Sequence, residues 1–141
     1  MAAEVFESLG EFENGIIAAT KDISTFSTHV YVFIEANASR GRCLAKLGRT
    51  ADAEDALNTA ADAAMRFAMP FWEMLVRCDL ITHVLDPMGR RDEQLAPLGK
   101  CIDGMCRPPM EYTSILGSGL DAEAAVIAHK NACSDATHGT I

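Results

Sequence analysis

Aromatic and basic residues are scarce in this chain, β-branched runs are short, and each shortage removes a class of protein. Aromatics make up 6% of the 141 residues, with one tryptophan. Lysines and arginines number 12 against 20 aspartates and glutamates, a net charge of −8, so a basic surface that tracks nucleic-acid phosphates is not expected. The basic clusters, Arg40-Gly41-Arg42 and Gly89-Arg90-Arg91, are too small to reverse that balance. The longest apolar run, Val30 to Ile34, is far too short to insert in a membrane. The first residues carry neither a basic segment nor a long apolar one, so no secretory signal is expected. The 5 cysteines are odd in number and lack close paired spacing, which argues against a disulfide framework and a zinc knuckle. Reduced, mostly buried thiols in a cytoplasmic protein are the expectation. Gly117-Ser118-Gly119 lacks the strand and the downstream lysine of a phosphate-binding loop.

What remains is alanine, acid and helical periodicity. Segments 2–8 and 11–23 read as helices parted by Leu9-Gly10, the second with Phe12, Ile16, Ala19 and Ile23 on one stripe. The hydroxyl-rich 24–28 favours a turn. A long helix is expected over 28–47, closed by Gly48, and another from a Thr50 cap to Phe67, with acids in its first turn where the dipole favours them. Pro70 opens the next, and Phe71, Leu75, Cys78, Ile81 and Leu85 form its expected buried stripe as far as Asp86. A helix over 91–105 is expected to be kinked or shortened by Pro97 and Gly99. Short helices near 110–116 and 121–133 follow, then a flexible tail over 134–141. No stretch alternates with a period of two. The expected fold class is all-α, in a single domain over 1–133.

A small word recurs along these helices. Leu9-Gly10, Leu47-Gly48, Met88-Gly89 and Leu116-Gly117 each precede an acidic segment, and the glycines are spaced by 38, 41 and 28 residues. The first two intervals suit a repeated helix pair; the third is too short for a full unit. Around Gly48, Ala53 and Ala60 are small, Leu57 is bulky between them, and Gly41 lies seven residues before. Small side chains at such positions let two helices approach closely while larger neighbours fill the adjacent grooves.

This word resembles the turn and second helix of a tetratricopeptide repeat, and the resemblance covers roughly residues 2–105. Gly41 matches the small residue at the family's close helix contact, and Ala53 and Ala60 its two small positions after the turn. Around Gly10, Phe12 matches the family's bulky residue and Gly15 the first small position, whereas Asp22 replaces the second. Around Gly89, Cys101 fits and Gln94 is larger than usual. Asn37 stands where an aromatic is common, and the connection Arg66 to Pro70 is longer than usual. The resemblance implies antiparallel helix pairs stacked as a short right-handed tetratricopeptide-like solenoid. An unrelated α-helical bundle is the alternative, since alanine-rich helices with glycine turns occur in both. The first unit begins within its first helix, and an open end of that kind favours self-association, possible as a homodimer, or docking on a larger partner.

Reactive constellations are sparse. Cys78 and His83 lie five apart and face different ways on a helix. Asp79 and His83, four apart, share a face, with Asp86 one turn later, so they could form an acid–base or metal pair. A polar surface stripe explains them as well. Glu54-Asp55 and Asp92-Glu93 fit helix starts. The methionines at 65, 69, 74, 88, 105 and 110 read as core filler, and Trp72 as packing between units. No catalytic residue, metal or cofactor is assigned.

In tetratricopeptide proteins the first helices of successive units line a concave face that holds peptide segments. By that resemblance the helix over 28–47 would offer Glu35, Arg42 and Lys46, and the next first helix Asp79, His83 and Asp86. Their mixed sign does not reproduce the family's carboxylate clamp. The resulting expectation is a non-enzymatic interaction scaffold for a peptide or protein partner. The alternative is a small helical ligand-binding or enzyme bundle built on Asp79 and His83.

Overall fold

Four turns among the described residues share one hydrogen-bond pattern, and it fixes where the helices beside them end. At Gly48 the chain turns left-handed (φ +77°). Its N–H reaches the Ala45 carbonyl at 3.0 Å while Arg49 N–H reaches that of Leu44 at 2.9 Å. This is the Schellman closure, which satisfies the last carbonyls of a helix and suits glycine at the left-handed position. Gly10 and Gly89 repeat it, with φ of +76° and +69°, and so does Ala68 at φ +53°. After each glycine, the next side chain bonds the one three residues on. Asn14 donates to Glu11 at 3.0 Å, Arg49 pairs with Asp52 at 2.9 Å, and Arg90 with Glu93 at 2.6 Å.

The computed structural model describes residues 2–26 and 28–106. Between the turns run α1 (Ala2–Ser8), α2 (Phe12–Thr25), α3 (Val30–Lys46), α4 (Thr50–Arg66), α5 (Pro70–Leu80) and α6 (Leu95–Cys106). A π-helical turn, Ile81–Leu85, and two 3₁₀ turns, Asp86–Met88 and Arg91–Gln94, connect α5 to α6. No strand occurs among the described residues, so the fold is all-α. The chain divides into two units, 1–98 and 99–141, and residues 99–106 of the second are described. The helices expected at 110–116 and 121–133, the tail at 134–141 and the word at Gly117 lie outside the described residues.

In the first unit each helix packs chiefly on the one before and the one after it, and α3 also touches α1 and α5. The main core is built on α4, whose Ala53, Ala56, Leu57, Ala60, Ala61 and Ala64 are buried at helical spacing. They meet Ile34, Ala38 and Leu44 of α3 and Val76 and Leu80 of α5 in one cluster. Burying a leucine or isoleucine such as Leu57 or Ile34 contributes about 1.5–3 kcal/mol. Two glycines set the closeness of approach. A methyl group on Gly41 would stand 2.6 Å from Leu57 Cγ, and one on Gly15 2.8 Å from Cys43 Sγ. Asn37 is buried beside this contact and satisfies its amide on the Phe33 carbonyl at 2.9 Å.

Several local expectations need correction. Thr50 is the first residue of α4 and not its cap; Arg49 occupies the cap position and turns its guanidinium to Asp52. The stripe expected for α5 is buried at Leu85 but not at its first three residues. Phe71 is 54% exposed, Leu75 38%, and Cys78 is exposed, while Glu73, Val76, Arg77 and Leu80 are buried. Charge can turn inward here because Arg77 pairs with Glu73 at 2.8 Å and donates to Gln94 at 2.9 Å. Nor does one continuous α-helix reach Asp86. The π turn admits an extra residue, and both Val84 and Leu85 are buried within it. At α6 a 3₁₀ turn comes first, so Pro97 falls in the first α-turn, where a missing N–H costs little. Met65 and Met88 are exposed and so not core filler, whereas Met69 packs on the core.

Candidate functional site

The helices α1, α3 and α5 each carry a charged residue toward the others, and Arg42 of α3 joins all three. Its Nε donates to Glu7 Oε1 of α1 at 2.8 Å and its Nη1 to Asp79 Oδ2 of α5 at 2.8 Å. Nη2 completes a fork on Glu7 Oε2 at 3.1 Å, beside the Ser39 hydroxyl at 3.3 Å. Such a planar two-bond pairing fixes orientation as well as charge. Burial alone would lower the guanidinium pKa, but the hydrogen bonds and charges of Glu7 and Asp79 hold it above its ordinary value. Arg42 is thus a strut between helices.

Beside this strut lies a cleft of about 300 Å³ between α1, α3 and α5. Its floor is apolar, with Ile34, Ala38 and Val76, and its α5 wall carries Trp72, Leu75 and Cys78. The aromatic wall is ordered by contacts between rings. Tyr31 meets Trp72 edge to face at 4.7 Å, and Phe71 meets it at 5.9 Å. Trp72 of α5 therefore packs against α3. Edge-to-face geometry of this kind adds stability beyond the area buried.

Glu35 stands across from that wall, one helical turn after Tyr31. Desolvation and the neighbouring Glu4 carboxyl push its pKa up, offset in part by the Tyr31 hydroxyl and the amino-terminal charge. The same hydrogen bond to Glu35 raises the Tyr31 pKa, with a smaller contribution from burial. Partial desolvation on the cleft wall and the charge of Asp79 push the Cys78 thiol up, which disfavours the thiolate a nucleophile needs. No group of three or more metal-ligating side chains forms among the described residues.

The residues expected from sequence separate into three groups. Glu35, Arg42 and Asp79 come together in the cleft. Lys46 lines a wider polar hollow of about 530 Å³ that shares Glu4 and Arg42 with it. His83 and Asp86 line neither. His83 is half-buried in the π turn and forms no hydrogen bond with Asp79, whose carboxylate is engaged by Arg42. Glu4, Glu7 and Tyr31 were not anticipated. Glu7, Arg42 and Asp79 are 35 and 37 residues apart, close to the glycine spacings of 38 and 41, and opposite charges at that interval were the available signal.

A third cleft, about 520 Å³, opens between the start of α3 and the end of α4, beside Val30, Phe33, Ala63 and Phe67. It gathers only one acid and one base, Asp62 and Arg66, and no ordered aromatic pair. The α1/α3/α5 groove has the richer recognition chemistry. Comparison with protein-family models, curated proteins and solved structures returned no match, so the groove's own chemistry carries the functional reading.

Proposed function

We propose that the protein is a non-enzymatic interaction scaffold. In this reading its antiparallel helix pairs stack as a short right-handed tetratricopeptide-like solenoid, and the faces of α1, α3 and α5 hold an extended segment of a partner protein. The observation that carries it is the inverted α5. This helix keeps charge inside, on Glu73 and Arg77, and leaves Phe71 and Leu75 exposed beside Trp72 at the groove. Tryptophan and tyrosine beside an apolar floor are what binding hot spots are made of. The equal closures at Gly10, Gly48 and Gly89 and the tight approach at Gly41 favour stacked pairs.

Selection from a random peptide library, followed by fluorescence anisotropy, tests the reading. Leu75→Glu places a charge in the groove and should weaken the selected peptides by about tenfold or more. Asp55→Lys, at an exposed position of α4 away from the groove, should leave them unchanged. If both variants bind alike, or no peptide is selected, the groove is not the interaction surface.

A further inference from the structure

We infer that the α1/α3/α5 groove takes an uncharged, apolar stretch of its partner, laid along Phe71, Trp72 and Leu75, and discriminates against charge of either sign. This inference rests on the groove being a peptide-binding surface and specifies its occupant. The ionic groups beside the groove are already matched. Arg42 bonds Glu7, Asp79 and Ser39 through Nε, Nη1 and Nη2, which engages the Asp79 carboxylate as well. Glu4 has a partner of its own. Glu35 accepts the Tyr31 hydroxyl and feels the amino-terminal charge. An incoming anion would meet three carboxyls in the cleft and one guanidinium that is engaged. An incoming ammonium or guanidinium would only displace a partner already in place. Either guest gives up its water for no net new pairing, which is strongly unfavourable for an ion.

What the groove still offers is apolar. Phe71 is 54% exposed, Tyr31 46% and Leu75 38%, and Trp72 is held among them by its edge-to-face contacts. Phe71, Leu75 and Cys78 follow at four- and three-residue steps on α5, so they form one outward line without a charge in it. On a chain of net charge −8, such a line gains from covering by apolar side chains and by nothing ionic. Glu35 agrees with this. The groups that act on it are Tyr31 of its own helix, Glu4 of α1 and the amino-terminal charge, while Arg42, Cys78 and Asp79 share the cleft. Burial and Glu4 already disfavour its charged form, and an apolar guest withdraws still more water from it. Binding should therefore tighten as pH falls and Glu35 takes up its proton, whereas a cationic guest would be released.

Three fluorescein-labelled dodecapeptide pools test this, each with a central core between glycine–serine flanks. The first core is drawn from leucine, isoleucine, valine, phenylalanine and methionine; the second and third carry lysine or glutamate at alternate core positions. The apolar pool should bind about tenfold tighter than either charged pool. Salt between about 0.05 and about 0.3 M should change its affinity less than about twofold, since no ion pair is formed. Glu35→Gln, which keeps the size of the side chain, should leave the apolar pool unchanged or tighten it, and circular dichroism confirms that the variant is folded. If the lysine or glutamate pool binds as tightly as the apolar one, and Leu75→Glu still weakens it, the uncharged occupant is overturned while the groove remains a peptide site. Weaker binding of the apolar pool to Glu35→Gln overturns it in the same way. A solution mass of twice the chain that Leu75→Glu halves would make a second copy the occupant, and would overturn the inference. If no pool binds, both readings fall.

Discussion

α4 and α5 are neighbours of the same amphipathic type, yet they bury opposite kinds of residue. The buried stripe of α4 is five alanines and Leu57, with no polar atom to satisfy. That of α5 includes Glu73 and Arg77, and its aromatic residue Phe71 lies outside. A stripe of alanines achieves one thing, close approach, and gives a rigid spine against which α3 and α5 set their angles. A helix that turns its ion pair inward gives up apolar burial on that face and leaves apolar area exposed, as at Phe71 and Leu75. The first helix is scaffold and the second is surface, although their sequences share a period.

The comparison breaks most visibly at Arg77. Replacing it with methionine strands the buried Glu73 carboxylate and should cost about 3–5 kcal/mol, read as a lower urea midpoint. Glu73→Leu with Arg77→Met removes both charges, and this pair should sit near the wild type or above it. If the double variant is as unstable as the single one, the ion pair does more than neutralise itself. No equivalent experiment exists on α4, which carries no buried charge.

The counterpart on α4 is steric. Gly41→Val drives its side chain toward Leu57 Cγ, which a Cβ already approaches to 2.6 Å, and should cost up to about 3 kcal/mol. Combining it with Leu57→Ala opens room, so the double variant should lose less than the sum of the two singles. Strict additivity would mean that α3 and α4 shift apart freely and that the alanine stripe does not set their distance.

These two helices also show what was legible in the sequence. For α4 the reading succeeded: the alanines at 53 and 60 and the glycine at 41 announce a close contact, because small residues at helical spacing have few other uses. For α5 it failed at Phe71, Leu75 and Cys78, since apolar residues were assumed to face inward. Nothing local reveals that Glu73 and Arg77, four apart, will neutralise each other inside, helped by Gln94 from a later turn. The π turn at Ile81–Leu85 was equally hidden, because an extra residue in a helix leaves the apolar pattern only slightly out of step. Of the groove, Glu35, Arg42 and Asp79 were named, but as charges facing a partner. That Arg42 is spent on Glu7 and Asp79 depends on three helices converging, which no single stretch encodes.

A smaller effect separates the two ends of α4. Both α3 and α4 finish in the same closure, but α3 uses Gly48 and α4 uses Ala68 at φ +53°. A Cβ in the left-handed region costs about 1 kcal/mol. Ala68→Gly should therefore stabilise the fold by about that amount, read as a higher urea midpoint, and Gly48→Ala should destabilise it similarly. No neighbouring atom lies within 4 Å of a Cβ on Gly48, so backbone strain alone is measured there. Equal signs for the two substitutions would mean that the four turns are not equivalent in energy.

The smallest effect belongs to the groove side of the comparison and concerns pH. The pKa of Glu35 is raised in the folded protein by desolvation first and by Glu4 next, so the native state holds this proton more tightly than the unfolded chain. Between the ordinary glutamate value and the raised one, the native state binds more protons, and stability falls as pH rises through that window. Below the window, where Glu35 is protonated in both states, the penalty vanishes. Glu35→Gln mimics the protonated form at every pH and should be more stable than wild type at neutral pH. The gain should be under about 0.5 kcal/mol, because Glu35 keeps contact with solvent that screens its charge. The two melting curves should converge as pH falls below the ordinary glutamate range. A difference in melting temperature that stays constant from acid to neutral pH would show that the glutamine acts through packing.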